Sequence, residues 1–195
     1  MVVFLANPKI SKDLGLVRDG FLPVTIRETG VSDFEKLAKY YFEFYGELKE
    51  NPQLGLTLFD NKPGMLDEMG WFISFQKACE TGDALGLVAI ESEEIVGFCE
   101  VDRRKPTSAV SHRGGLGITV KKGYRGKGIG TMLLKGMIEM CRKRGLEVLE
   151  LEVFVGNEHA KRLYQRLGFK RYGLHPQAVK RNGTYIGEEL MFLKL

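Results

Sequence analysis

The sequence predicts one α/β domain with a mixed, mostly antiparallel sheet of about seven strands and helices on both faces. Segments that alternate apolar and polar residues, typical of strands, are interleaved with segments whose apolar residues recur every three to four positions, typical of helices. In the middle of the chain, a strand, a helix and a strand follow one another directly. Such a crossover joins parallel strands, whereas the hairpins on either side of it are antiparallel.

Length and composition bound the domain. The chain has 195 residues, of which 44% are hydrophobic, and this suits one domain with a sizeable core. We assign residues 24–195 to that domain. Residues 1–23 are predicted to be an N-terminal arm, because their prolines and glycines disfavour a helix.

The elements follow from periodicity and from residues typical of helix ends. Residues 24–29 alternate as a strand, and Ser32 or Asp33 is expected to cap a helix to about Asn51, with Glu35 placed as in a capping box. The remaining prediction is a helix over 65–80, strands over 84–91, 95–104 and 115–121, a helix to Arg144, a strand over 146–155, a short helix, and strands over 169–174 and 185–194.

Residues 118–131 indicate a chemistry. A β-branched strand end, 118–120, leads into a turn with Gly126, Gly128 and Gly130, and an apolar helical pattern follows. Glycines can adopt positive φ and leave backbone N–H groups open to a ligand, and a helix N-terminus favours anions. Nearby positive charge comes from Lys121, Lys122, Arg125 and Lys127. The turn is therefore predicted to bind a phosphorylated cofactor.

The glycine spacing indicates which cofactor. The P-loop pattern GxxxxGK(S/T) fails because Lys121 stands at its first glycine, and the dinucleotide pattern GxGxxG fails because Thr131 stands at its third. The pattern (Q/R)xxGx(G/A) fits residues 125–130. In this the sequence resembles the acyl-CoA pyrophosphate loop of the GNAT superfamily of N-acyltransferases.

A second motif lies downstream. Residues 157–169 fit N-x-x-A-x-x-L-Y-x-x-x-G-F, which resembles the second GNAT signature, with Asn157 as a helix N-cap and Gly168 just past the helix end. The two motifs stand in the family's order and distance, and the resemblance covers about 24–195. It implies a GNAT-like sheet in which the parallel pair splays apart.

The resemblance implies an activity. It points to transfer of an acetyl group from acetyl-CoA to a primary amine, of a small molecule or of a protein or peptide N-terminus, by direct attack in a ternary complex. A non-catalytic acyl-CoA-binding sensor or regulatory module stays open as the alternative. The co-substrate is acetyl-CoA, without a metal.

The resemblance also implies cofactor-binding residues. Backbone groups of the first parallel strand would pair with pantetheine, the glycine turn would hold the pyrophosphate, and Asn157 would cap its helix and contact the pantetheine arm. The implied set is Ile118, Thr119, Val120, Arg125, Gly126, Lys127, Gly128, Ile129, Gly130, Thr131 and Asn157.

Two residues are the catalytic candidates. By resemblance Tyr164 protonates the departing thiolate, and the alternative is a tyrosine whose hydroxyl bonds to a backbone group. Many family members carry a base on the strand before the glycine turn, but 115–120 holds no carboxylate. Glu152 is the candidate base, against a plain solvated strand face. Glu100, Asp102 and a water chain are reserves.

Composition disfavours other classes. The net charge of +4 is mild and spread along the chain, which argues against a nucleic-acid groove. Three scattered cysteines form no disulfide framework, the histidines and cysteines have no metal-ligand spacing, and no apolar run is long enough to span a membrane. We expect a cytoplasmic protein whose partners are acetyl-CoA and an amine. The oligomeric state stays open, with a homodimer among the options, and acceptor choice is assigned to the first two helices and 174–187.

Overall fold

The computed structural model describes residues 24–51, 61–104 and 107–195, so the arm at 1–23 lies outside the described residues. Within those ranges the chain forms strands and helices in the predicted order. The bounds are β1 Thr25–Glu28, α1 Phe34–Glu50, α2 Met65–Thr81, β2 Ala84–Glu91, β3 Glu94–Arg103, β4 Arg113–Val120, α3 Ile129–Lys143, β5 Val148–Phe154, α4 Glu158–Arg166, β6 Lys170–Arg181 and β7 Thr184–Lys194.

Within the described ranges, seven strands form one sheet in the order β1-β2-β3-β4-β5-β7-β6. The β4–β5 pair is parallel and the other neighbours are antiparallel, which confirms the predicted mixed sheet. Helices α1 and α2 cover one face, where Leu37 and Phe72 pack with Phe98. Helices α3 and α4 cover the other face, where Leu133 and Tyr164 join the larger core cluster.

The parallel pairing is short. Only the pairs Arg113–Val148, Gly114–Leu149 and Gly115–Glu150 join β4 to β5. Beyond them, among the described residues, β4 stays paired with β3 as far as Val120 and β5 stays paired with β7 as far as Phe154. The two strands therefore separate, and we call the gap between residues 116–120 of β4 and 151–154 of β5 the wedge.

The start of α1 differs from the prediction. Ser32 lies in the short 3-10 turn Val31–Asp33, and Asp33, the N-cap residue of α1, makes no side-chain cap hydrogen bond. Instead its carboxylate accepts hydrogen bonds from Gly30 N–H at 2.8 Å and from both terminal nitrogens of Arg27 at 2.7 Å. Burial alone would raise the pKa of Asp33, but the bonds from Arg27 and Gly30 outweigh it and hold the pKa below its usual range. A buried carboxylate needs such partners, and the one that comes from β1 is not part of a helix-cap pattern.

The last hairpin is longer than predicted. β6 runs to Arg181, well past the expected end at 174, and reaches β7 through a turn in which Asn182 and Gly183 have φ of 50° and 79°. The alternation of β6 is hard to recognise, because the strand is largely exposed and contains Pro176, which cannot donate to the ladder. The register is accordingly irregular between His175 and Val179.

Packing where the parallel strands meet gives a first prediction. A Cβ on Gly114 would lie 2.6 Å from Val101 Cγ1, whereas a Cβ on Gly46, exposed in α1, would meet nothing within 4 Å. We expect Gly114→Ala to lower the free energy of unfolding by about 1–3 kcal/mol through overpacking. Gly46→Ala should raise it by up to about 1 kcal/mol through helix propensity. Urea denaturation measures both, and equal stabilities would contradict tight packing at Gly114.

Candidate active site

The wedge exposes backbone groups of β4. The Arg113 carbonyl accepts from Arg104 N–H at 2.9 Å, and Lys121 N–H donates to the Val96 carbonyl at 3.0 Å, so both residues point toward β3. Since main-chain groups alternate along a strand, Ile118 and Val120 point the other way, into the wedge. These two lie within the predicted pantetheine strand, and Thr119 is turned toward β3.

The glycine turn uses its glycines in two ways. Gly126 and Gly128 have φ of 76° and 90°, and α3 begins directly after Gly128. An added Cβ at either would meet nothing within 4 Å, so the space over this helix start is open. Gly130 does not have the positive φ that the sequence allowed. It lies inside α3, where a Cβ would be 3.1 Å from Leu163 Cδ2, and so it permits close packing of α3 on α4.

The basic residues near the turn are largely paired with acids. Arg125 forms a two-fold contact with the buried Glu47 of α1, with Nη2 to Oε2 at 2.8 Å, and its Nε donates to the Val120 carbonyl at 2.8 Å. Ion pairs also join Lys121 to Glu43 and Glu94, and Lys122 to Glu50. These cations therefore fasten the turn to α1 and β3, and attraction of a phosphate rests mainly on the N–H groups at the start of α3.

Lys127 is exposed at the tip of the turn, where its Nζ lies 5.2 Å from the centre of the Tyr124 ring. Ile129 is buried and Thr131 partly buried in the first turn of α3. Lys127 therefore places a positive charge on the solvent side of the turn, as the exposed Lys122 also does.

Asn157 joins the end of β5 to α4. Its Oδ1 accepts from Ala160 N–H at 3.1 Å, which confirms the predicted cap, and its own N–H donates to the Phe154 carbonyl at 2.8 Å. The residue therefore fixes where β5 ends and α4 begins, beside the wedge.

Tyr164 is buried, with 7% of its surface exposed, and its ring lies 5.7 Å from that of Phe169. No hydrogen-bond partner for its hydroxyl is found among the described residues, so the alternative of a bond to the backbone gains no support. Burial, with a smaller contribution from the Cys99 thiol, raises the pKa of Tyr164 well above its usual range. Cys99 is the cross-strand partner of Ile118, which puts the protonated hydroxyl near the wedge.

Glu150 and Glu152 share the face of the sheet that α1 and α2 cover elsewhere. The Glu150 carboxylate is occupied by Arg113, with Nη2 to Oε1 at 2.6 Å. Glu152 is exposed at the wedge edge of β5, opposite Leu190 of β7. Its predicted role as the base stays a prediction.

Glu100 lies on the same face, on β3. It is the cross-strand partner of Gly117 on β4, and a Cβ on Gly117 would lie 3.3 Å from Glu100 Oε1. Burial, reinforced by Asp102, raises the pKa of Glu100 to about 7. The sequence indicated Glu100 only as a reserve candidate for the base. A glycine opposite a glutamate in the β3–β4 pairing is the sequence feature that could have identified it.

The described ranges hold neither a metal-binding cluster nor a membrane-spanning helix. Over 24–51, 61–104 and 107–195, no group of three or more His, Cys, Asp or Glu side chains is arranged to hold a metal ion. In the same ranges, no helix is both long enough and apolar enough to cross a membrane.

Comparison with known sequences identifies relatives. Residues 40–169 match the model of the acetyltransferase (GNAT) family. The L-methionine sulfoximine/L-methionine sulfone acetyltransferase of Pseudomonas aeruginosa is 24% identical over 175 residues, which cover 89% of this chain and 95% of the relative. The L-amino acid N-acetyltransferase AaaT of Escherichia coli is 33% identical over 102 residues, 51% of this chain and 62% of the relative.

Solved structures share the fold. An N-acetyltransferase from Staphylococcus aureus superposes with a TM-score of 0.76 at 19% identity, covering 88% of this chain and 98% of the other. A phosphinothricin acetyltransferase from Sinorhizobium meliloti, solved in complex with acetyl-CoA, gives a TM-score of 0.73 at 20% identity and covers 88% of both chains.

The open space over Gly128 gives a second prediction. In Gly128→Ala, the new Cβ would stand where a phosphate approaches the N–H groups, so we expect the acetyl-CoA Kd to rise by about tenfold or more. The matched control is Gly145→Ala, at φ of 73° with nothing within 4 Å, at the other end of α3. It should lose similar stability but keep the Kd, and calorimetric titration of both variants measures the difference. Equal Kd values in the two would mean that the turn is only structural.

Proposed function

The chain belongs to the GNAT family of acetyltransferases and is an N-acetyltransferase that uses acetyl-CoA, and from this we propose that its acceptor is the α-amino group of a small amino acid. The relatives support this acceptor. The Pseudomonas protein, aligned over most of both chains, is named for L-methionine sulfoximine and L-methionine sulfone, and the Escherichia protein for L-amino acids.

The wedge is the observation that carries the proposed mode of binding. Main-chain groups of Ile118 and Val120 point into it, and the Val120 carbonyl is already bonded to Arg125. A pantetheine arm that pairs with the N–H and carbonyl of Ile118 and with the N–H of Val120 would extend β4 in the way that an added strand extends a sheet edge. The N–H groups of residues 126–131 would hold the pyrophosphate at the start of α3. The thioester would then lie between β4 and β5.

Tyr164 is the proposed acid. Its hydroxyl keeps its proton near neutral pH, since an ordinary tyrosine has a pKa of about 10 and burial raises the pKa of Tyr164 further. It lies beside Cys99, next to the strand that faces the thioester. It would donate that proton to the sulfur as the carbon–sulfur bond breaks. Asn157, which fixes the start of α4, would hold Tyr164 in place two helical turns later and contact the pantetheine arm.

The acceptor is tested by following thiol release from acetyl-CoA with three sets of amines. These are free L-amino acids with L-methionine sulfone, the same amino acids as carboxamides, and short peptides. We expect the highest kcat/KM with free amino acids. Turnover confined to peptides would contradict this acceptor and favour a protein N-terminus instead.

Tyr164→Phe tests the acid. If the hydroxyl protonates the thiolate, kcat should fall by about 10²–10⁴-fold, while the acetyl-CoA Kd changes little because the ring and its packing remain. Turnover and melting temperature are measured on the same variant, with the best acceptor from the panel.

The structural alternative predicts the opposite result. A hydroxyl that only satisfies a backbone group would cost about 0.5–1.5 kcal/mol of stability when removed, with turnover within a few-fold of wild type. A stable and fully active Tyr164→Phe would remove this residue from the mechanism.

A further inference from the structure

We propose that Glu100 is the general base that takes the proton from the acceptor amine. This inference rests on the proposed acetyl transfer. It assigns the base to β3, where the strand before the glycine turn, β4, carries no carboxylate of its own.

The Glu100 side chain extends from β3 across to β4. Glu100 faces Gly117 across the β3–β4 ladder, and its Oε1 lies 3.3 Å from the position that a Cβ on Gly117 would take. Gly115, two residues earlier on the same face of β4, also has no side chain. The carboxylate therefore lies over bare β4 backbone, about one strand spacing of 5 Å from the wedge.

The Glu100 carboxylate has no partner among the residues that the structure describes. The buried Asp33, Glu47 and Glu150 each form an ion pair with an arginine. In the part of the chain that the structure describes, Glu100 receives neither a hydrogen bond nor an ion pair. A partly buried carboxylate left without a partner costs stability, and such groups are found at functional sites.

The surroundings of Glu100 disfavour its charged form. Asp102 is two residues away on β3 and helps to raise the pKa of Glu100. The guanidinium of Arg104 lies over Gly115, where it stabilises the charged form of Asp102 and forms an ion pair with Glu150, from Nε to Oε2 at 4.0 Å. Burial, and to a lesser degree the charge of Glu100, raises the pKa of Tyr41 in α1, Cys79 in α2 and Cys99 in β3. Apart from Arg104, which is engaged with these other carboxylates, none of these groups is a cation. An arriving ammonium group would be the missing positive partner.

The pKa of Glu100, raised to about 7 by burial and by Asp102, suits a base that works near neutral pH. Glu150 is held by Arg113, and Glu152 is open to solvent. Of Glu100, Glu150 and Glu152, Glu100 is thus the one whose carboxylate is both desolvated and unpaired.

During the proposed acetyl transfer, the amine nitrogen loses two protons and the sulfur gains one. The ammonium gives one proton to Glu100, which passes it to water, and the neutral nitrogen attacks the acetyl carbon. The carbon–nitrogen bond forms, the carbon–sulfur bond breaks, and Tyr164 donates its proton to the sulfur. The second proton that leaves the nitrogen restores the Tyr164 hydroxyl through solvent.

The test is Glu100→Gln in the full chain, with the best acceptor from the amine panel. We expect kcat/KM above pH 7 to fall by about 10²–10⁴-fold. In the wild type, kcat/KM should rise with pH and level off above about 7, because Glu100 can accept a proton only when ionised. The variant should lose this dependence. The acetyl-CoA Kd should stay the same and the melting temperature should not fall, since the amide is an isosteric neutral replacement.

Two further variants make the test specific. Glu147→Gln is the matched control, because Glu147 is exposed and outside the site, and it should keep the wild-type profile. Glu152→Gln is the competitor: a larger loss there than in Glu100→Gln overturns the inference in favour of Glu152. Full activity and an unchanged pH profile in Glu100→Gln overturn it while the proposed function stands. A wild type that binds acetyl-CoA but acetylates no amine overturns both.

Discussion

The rest of the site depends on how early the parallel strands β4 and β5 stop pairing. Three residue pairs join them, and then each strand stays with its antiparallel neighbour. The backbone N–H and carbonyl of Ile118 and the N–H of Val120 are thereby left facing a gap inside a continuous sheet, whereas the Val120 carbonyl accepts from Arg125. Because unpaired groups at a sheet edge accept an extended chain readily, this break gives the domain its place for a pantetheine arm.

Many charged side chains around the site form ion pairs with other side chains of the protein. Around the glycine turn, Lys121, Lys122 and Arg125 are paired with acids of α1 and β3. The buried Asp33, Glu47 and Glu150 each have an arginine. The turn therefore attracts an anion mainly by backbone dipoles, whose direction does not depend on mobile side chains. Against this background the unpaired Glu100 stands out, since it departs from the rule that the other buried carboxylates follow.

Much of the fold could be predicted from the sequence, and the predictions that were wrong have physical causes. Helix α1 was predicted, but its first residues are fixed by Arg27 reaching Asp33, a contact between two elements rather than a local cap. β6 was predicted too short, because an exposed strand with Pro176 has no clear alternation. Gly130 was grouped with the turn glycines, although close packing on Leu163 explains it better.

The sequence by itself determined what depends on neighbours along the chain. It determined the left-handed glycines before α3, the Asn157 cap, the crossover that makes β4 and β5 parallel, and through its two motifs the GNAT family. Only the tertiary structure decided which charges meet. Arg125 forms an ion pair with Glu47, although the sequence predicted that it would bind a phosphate, and the Glu100 carboxylate lies next to Gly117. The physical reason is distance: a charged side chain takes its partner from whatever the fold brings within a few ångströms, and spacing along the sequence does not encode that.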